Sequence, residues 1–415
     1  MTFTFIQFFG ALVFRMTGIG ALFVSFILSA LYLSVEDFGN FQTYFVALTM
    51  INYLCLLGAN EYVFKKTKFL SKQRLIQLIF KVFNVTLPVS LFLLVIFLFM
   101  IFLYDEQNLF FVAILFFSLP FNVINLILAN AFKGNDHQSA FILSSGFVQN
   151  VSLMLLTLLL NDHLTLSNFS YIYLFSSALT LLYSFTFLIK NYPISLKIII
   201  NNDFKLFKHD WRESINYYFL TLISLFFVSA DLWVIKIIGN NSDLGLYAFA
   251  LKIASIINIV HTSSAHFYIS KLVSLNRINE PKQLKKLFMR CIYNNLIIVI
   301  PFIVILFGFL PDKLNFYFKS YNGVSHVIWI LILAQIINLL TGPCGLLLSF
   351  TNKLPILVKL NFTSVIIYIF LLCFFYNSYG IYGIAFSYLI YMIFWNILLV
   401  VLFKAEYNFY PMLLK

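Results

Sequence analysis

Long apolar runs separated by short polar breaks dominate this chain from end to end. Twelve stretches, near 6–33, 41–64, 79–103, 109–132, 140–160, 169–190, 213–238, 244–270, 291–310, 323–350, 356–376 and 380–403, are mostly apolar. Each is close to the roughly 20 residues an α-helix needs to cross about 30 Å of hydrocarbon. Pro88, Pro120, Pro301 and Pro343 fall inside these runs. They would break soluble helices, but in a bundle the neighbouring helices re-satisfy the freed carbonyls. The pattern predicts an all-α polytopic membrane protein with about twelve transmembrane helices. The opening Met1-Thr-Phe-Thr-Phe lacks a basic n-region and a small-residue cleavage site, so the first run is expected to stay as a helix.

Composition narrows this reading. Of the 415 residues, 62% are hydrophobic and only 10% charged, against roughly a quarter charged in soluble domains. The net charge of +12 could serve a nucleic-acid binder only if gathered on one face. Instead the cations sit in alternate breaks. Set by set, 22 Lys and Arg, including Lys65, Lys72, Arg74, Arg212, Arg277, Lys286 and Lys404, fall on one side. The other side holds Glu36, Asp37, Asp105, Glu106, Asp162, Asp243 and Asp312, with two cations, Lys313 and Lys319. The positive-inside rule assigns the first set to the cytoplasm, and an even number of spans brings both termini there. The expected location is a bacterial inner membrane. The acidic-side breaks, about 3–12 residues long, are too short to fold alone. The longer basic breaks, near 191–212 and 271–290, read as orienting loops, the second alternatively as an interfacial helix. Cys55, Cys291, Cys344 and Cys373 stand apart from one another and from any His or Asp cluster; they read as buried apolar residues. No cofactor or metal is expected.

The chain also repeats itself. Phe38-Gly39-Asn40-Phe41 opens the second span and Leu244-Gly245-Leu246-Tyr247 the eighth; thirteen residues after each glycine stands an asparagine, Asn52 and Asn258. Each of these spans leads into one of the most basic loops, and each following span carries a proline, Pro88 or Pro301. This predicts two parallel six-span halves, 1–200 and 201–415, with substrate bound between them.

These residues carry a family resemblance. Arg15 within the first span, Tyr32-Leu-Ser-Val-Glu36-Asp37-Phe-Gly39-Asn40-Phe41, and Gly58-Ala-Asn-Glu61 before a Lys-rich loop look like the opening of polysaccharide flippases. Asp231-Leu-Trp-Val-Ile-Lys236 and Gly245-Leu-Tyr247-Ala-Phe-Ala250-Leu-Lys252 are similar to the family's seventh and eighth spans. The chain thus resembles the O-antigen and capsule repeat-unit (Wzx-type) flippases of the multidrug/oligosaccharidyl-lipid/polysaccharide (MOP) superfamily. That resemblance implies two six-helix, MATE-like lobes around a central cavity. It implies transport of undecaprenyl-pyrophosphate-linked oligosaccharide from the cytoplasmic to the periplasmic leaflet for O-antigen, lipopolysaccharide or capsule assembly. The implied partners are that lipid-linked substrate, membrane lipids, a coupling ion (H+ or Na+), and a polysaccharide polymerase with its chain-length regulator.

Charges at membrane depth are the natural functional candidates. Arg15 lies about 28 Å along the first helix from the acidic turn, at 1.5 Å per residue; it either snorkels to headgroups or lines the cavity. Lys252, about 12 Å into the eighth span, is too deep to snorkel and reads as cavity-facing or paired. Lys236 reads as snorkelling. Asp231 lies near the depth of Lys252 on the adjacent helix. An Asp231–Lys252 pair is either structural or an ion-coupling element. Arg15 and Lys252 are the candidate substrate-binding cations. Asn52, Asn122, Asn125, Asn130, Gln149, Asn150, Asn258, Gln335 and Asn338 either line a sugar cavity or bond helices together. Among them Asn52 and Asn258, together with the titratable His261, are the candidate cavity polar residues. His261 and His266, five apart, make poor metal geometry.

Two rivals remain. A multidrug or cation exchanger of the same superfamily would favour interior acids over the two cations present. A membrane polymerase or glycosyltransferase would need a large, charged external loop; the largest, 311–322, has only Asp312, Lys313 and Lys319.

Overall fold

The computed structural model describes residues 5–67, 70–135, 137–160, 163–192, 207–321, 323–351 and 353–411. Among them no strand occurs. The chain runs through α1 (Phe5–Tyr32), α2 (Val35–Leu56), α3 (Ala59–Thr67), α4 (Lys72–Tyr104), α5 (Leu109–Phe116), α6 (Leu119–Gly134), α7 (Gln138–Ile142), α8 (Val148–Leu159) and α9 (Leu166–Asn191). It continues with α10 (Phe207–Ile238), α11 (Asn241–Arg277), α12 (Pro281–Tyr317), α13 (Ser325–Thr341), α14 (Cys344–Leu348) and α15 (Leu354–Tyr407).

All twelve apolar stretches fall on helix, and the interruptions have local causes. Leu57 and Gly58, both at positive φ, separate α2 from α3. Pro120, in the first turn of α6, restarts the fourth span, where a missing N–H costs nothing. Gly342 (φ 66) ends α13 ahead of Pro343. In the fifth span Leu143–Phe147 forms a wide π-type turn between α7 and α8, with Gly146 at φ 139. Gly380 (φ 56, ψ −138) divides the 54-residue α15 into two arms. Ser387 Oγ on the second arm donates to the Leu371 carbonyl on the first (3.0 Å), so the chain doubles back there.

Among the described residues, seven helices are long and apolar enough to cross a bilayer, or eight if the bent pair 221–227 and 229–238 is one span. Much of the difference from twelve has a physical origin. α15 counts once for two arms, 325–341 is a shorter apolar helix, and α2 carries Glu36, Asp37, Gln42, Thr43, Thr49 and Asn52; α1 itself runs 28 residues. Apolar side chains cover the outside of the bundle: Phe92, Val95 and Phe99 on α4, Val304 on α12 and Phe370 on α15 are each at least 60% exposed. Such a surface suits lipid, which supplies the apolar contact that water cannot. The protein is a multi-pass membrane protein.

The chain clusters into two compact units, Met1–Leu33 with Tyr44–Leu222, and Ser34–Thr43 with Ile223–Lys415. In the first, α1 packs on α8, α8 on α9, and α9 on α5 and α6, while α3 and α4 lie against α6. Small hydroxyl residues line the buried face of α9: Ser170, Ser176, Ser177, Thr180 and Ser184. Thr180 Oγ1 and Ser184 Oγ bond carbonyls one turn back (2.9 Å each), which removes their polarity from the interface and lets backbones approach. In the second unit α13 packs against α11 and the long α15, around Tyr247, Phe249, Tyr368, Tyr391 and Phe403.

Candidate coupling and substrate site

Asp231, in the seventh span on α10, is fully buried. A bare carboxylate at that depth would be prohibitively costly. It is instead held by hydrogen bonds: Tyr247 donates its hydroxyl to Oδ2 (2.8 Å) and the Leu232 N–H donates to Oδ1 (2.9 Å). The sequence offered Lys252 as the partner; the structure supplies Tyr247. The reason is helical azimuth. Five residues after Tyr247, Lys252 points about 140° around α11 from it, at ~100° per residue. Depth is readable from sequence spacing, whereas the direction a helix presents to its neighbour is not.

Around the carboxylate lies a cage of aromatic residues. Tyr368 and Tyr388, on the two arms of α15, are within electrostatic reach of Asp231. Phe227, one turn before Asp231, stacks on Tyr391 (ring centroids 4.1 Å) and on Tyr388 (5.8 Å) and meets Tyr368 (5.2 Å). Gln335 Nε2 on α13 donates to the Tyr388 hydroxyl (2.7 Å). The Tyr368 hydroxyl, Gln335 Oε1 and Ser364 Oγ are buried with no hydrogen-bond partner in the structure. Buried polar atoms are nearly always paired, so these unspent oxygens on the helices that carry the cage leave it able to take up a proton or a small cation.

The other candidates distribute as follows. Arg15 lies in α1 and His266 in α11; both side chains fall outside the described residues. Asn258 and His261 share the Tyr247 face of α11, at about 20° and 40° from it by the same rotation. Asn258 is half-buried, while His261 is buried with Nδ1 lacking a hydrogen-bond partner. Lys252, on the other side of α11, is half-buried. Asn52 on α2 is buried and its Oδ1 has no partner in the structure. Three amides of the first unit bind helix to helix. Gln149 Nε2 donates to Asn122 Oδ1 (3.3 Å), Asn122 Nδ2 reaches the Tyr173 hydroxyl (3.4 Å), and Asn125 Nδ2 the Ser177 carbonyl (3.4 Å). Asn130 bonds within its own helix. Lys236, expected to snorkel, donates from Nζ to Asn40 Oδ1 (2.7 Å).

The sequence reading missed the tyrosine cage. Its signal was present as Phe227/Asp231 and Tyr388/Tyr391, pairs at helical spacings of four and three that put both members on one face. In a chain with 24 Tyr and 52 Phe such pairs do not stand out.

A family model described as polysaccharide biosynthesis protein matches residues 9–273. The chain belongs to that family. No curated protein matches the sequence. Among solved structures, this polysaccharide biosynthesis family member is similar to an inward-facing multidrug resistance MATE family transporter of the MOP superfamily, at 14% identity and TM-score 0.68, covering 96% of this chain and 94% of that one. It is similar to a MOP superfamily transporter from Pyrococcus furiosus, described for the reversed polarity of its binding pocket, at 12% identity, TM-score 0.68 and the same coverage. It is also similar to a MATE transporter in complex with MaL6, at 13% identity and TM-score 0.64, covering 96% and 95%. The family member thus has the MATE-like fold of MOP superfamily transporters.

Proposed function

We propose that this protein flips an undecaprenyl-pyrophosphate-linked oligosaccharide repeat unit from the cytoplasmic to the periplasmic leaflet of the inner membrane, for O-antigen or capsule assembly. Both termini lie in the cytoplasm, as the distribution of 22 cations against two supports. Two halves, 1–200 and 201–415, rock about the substrate; Arg15 and Lys252 meet the pyrophosphate, and Asn52, Asn258 and His261 meet the sugars. Asp231 takes and releases the coupling ion, H+ or Na+. A polymerase and a chain-length regulator receive the product.

One observation carries the division of labour: the carboxylate of Asp231 is satisfied by neutral Tyr247. The acid and the lysine of the seventh and eighth spans therefore serve separate ends, one for a small cation and one for an anionic headgroup. The same cage is what favours the second reading, a multidrug or cation exchanger, since an acid among aromatic rings attracts organic cations. Its packing argues against that reading: Asp231, Tyr247 and Tyr368 are all fully buried, which leaves room for a proton or a bare ion rather than a drug.

Deleting the gene tests the proposal. Lipid-linked repeat units should accumulate on the cytoplasmic leaflet and surface polysaccharide should disappear. Normal surface polysaccharide together with new drug sensitivity would move the assignment to the exchanger.

A further inference from the structure

One face of α12 carries a continuous exposed stripe. Lys282, Lys286, Arg290, Tyr293, Ile297, Ile300 and Val304 follow one another at spacings of four and three. At ~100° per residue they fall within about 40° of a single line along the helix. The three cations are exposed, and Tyr293, Ile297, Ile300 and Val304 are each more than half exposed. The opposite face is the packed one, with Leu284, Phe288, Ile292, Asn295 and Val299 buried. The stripe changes character at one point. Up to Arg290 every member is a cation; beyond it a single tyrosine leads into aliphatic side chains.

Nothing in the helix itself favours these cations. Lys282, Lys286 and Arg290 are like charges at i, i+4 and i+8, an arrangement that destabilises a helix. Lys282 also stands in the first turn, at the positive end of the helix dipole. Glu280 is the single acid between Lys271 and Arg290, and among the described residues none of the three cations forms an ion pair. Arg290 is nevertheless placed. It lies within electrostatic reach of the Tyr268 hydroxyl on α11, which accepts from Asn294 Nδ2, one turn along α12 (2.7 Å). Tyr293 has the character of a residue at the edge of the hydrocarbon. At 1.5 Å per residue Arg290 stands about 4.5 Å from it along the axis and Lys286 about 10 Å. With their long side chains both reach a headgroup layer roughly 5–8 Å thick.

We propose that this stripe is a docking track for a lipid with a pyrophosphate headgroup: Lys286 and Arg290 take the phosphates, and Tyr293, Ile297, Ile300 and Val304 hold an isoprenoid chain. The charge fits that occupant. A phosphodiester headgroup brings one negative charge, whereas a pyrophosphate brings at least two. The track offers two cations one turn apart, one of them a guanidinium fork suited to paired phosphate oxygens. The length fits as well. From Arg290 to Val304 the stripe runs about 21 Å, longer than the ~15 Å half of the hydrocarbon core that an ordinary acyl chain fills. An isoprenoid chain reaching past the midplane would cover it. The track shares no residue with Arg15 and Lys252, the cations assigned to transport, and would collect the carrier lipid from its leaflet ahead of them. That role in collection rests on the proposed function above; the preference of the track for a pyrophosphate lipid does not.

Photocrosslinking reads the track locally. The photoreactive p-benzoylphenylalanine replaces Ile297 in the purified full-length protein, held in phosphatidylcholine nanodiscs with a trace of radiolabelled undecaprenyl pyrophosphate. The same group in place of Phe92, on the exposed face of α4, reports chance encounters with lipid. Crosslinking from 297 should exceed that from 92. Lys286→Gln with Arg290→Gln should lower the 297 yield about tenfold, the scale of one hydrogen bond to a charged group. Lys286→Arg with Arg290→Lys, which keeps both charges, should retain most of it, so loss of fold cannot mimic the pattern. Unlabelled undecaprenyl pyrophosphate should compete, and excess phosphatidylglycerol should not. Equal yields in the native and glutamine proteins would overturn the track. So would displacement by phosphatidylglycerol as readily as by the pyrophosphate lipid, which would mark a general contact with anionic headgroups. If crosslinking behaves as expected while deleting the gene leaves surface polysaccharide intact, the track stands and the flippase reading falls.

Discussion

The Tyr247 hydroxyl and Asp231 Oδ2 are 2.8 Å apart, joining the seventh and eighth spans through a fully buried carboxylate. This bond lets an acid reside at membrane depth. Tyr247→Phe should therefore leave Asp231 short of a donor, costing about 1–3 kcal/mol. The expected outcome is a lower melting temperature in detergent with partial loss of transport. Asp231→Asn keeps the size and can still accept from Tyr247, so the fold should persist. Transport should be lost, along with its dependence on external pH or Na+. Full transport by Asp231→Asn, with its ion dependence unchanged, would reduce Asp231 to a structural role.

The cationic candidates make a separate prediction. A pyrophosphate carries at least two negative charges, and transferring them into hydrocarbon without compensation costs many kcal/mol. Arg15→Ala and Lys252→Ala should each abolish surface polysaccharide while the protein still accumulates in the membrane. Arg15→Lys should keep part of the activity, because charge survives but the bidentate fork is lost. Normal transport by the double alanine variant would refute the cationic path.

Orientation can be read from fusions. Reporters placed after Lys72, Arg212 and Arg277 should signal the cytoplasm, and those after Glu36, Asp105 and Asp243 the periplasm. Two neighbouring breaks on the same side would contradict the twelve-span arrangement.

Packing offers a stability test that is independent of transport. A Cβ on Gly134 would overlap Thr67 Oγ1 and come within 2.8 Å of the Phe64 carbonyl oxygen, where α6 crosses α3. Gly134→Ala should cost about 1–3 kcal/mol through overpacking. Gly20 has nothing within 4 Å of its would-be Cβ, so Gly20→Ala should be neutral or slightly stabilising, as helix propensity predicts. Thermal unfolding in detergent compares the two. Equal shifts would mean that the α3–α6 contact is looser than the structure has it.

How much of this was legible beforehand depends on the range of the interaction. Helices follow from composition within one window, so every span was readable, and even the paired glycines at 39 and 245 stood out as repeats. What the sequence could not give is contact across a large separation. Lys236 and Asn40 are 196 residues apart, and nothing local to Lys236 distinguishes a bonded lysine from a snorkelling one. Asp231 and Lys252 were matched by spacing, yet Asp231 is bonded by Tyr247, because spacing fixes height along a helix but not which side its neighbour occupies. The π-type turn at Gly146 was equally silent, since a glycine in an apolar run has several uses and only the backbone shows which one applies.

The turn at Gly380 has a consequence for mechanics. Spans eleven and twelve meet at that one residue, and beyond it a Cβ on Gly383 would already overlap the Phe375 carbonyl oxygen. Most membrane hairpins carry several residues of slack, which lets one helix tilt while its partner stays still. Here there is no slack to take up. Any inclination imposed on one arm of α15 is passed to the other, and with it to Tyr368 on the first arm and Tyr388 on the second, so two hydroxyls within electrostatic reach of Asp231 travel on a single lever.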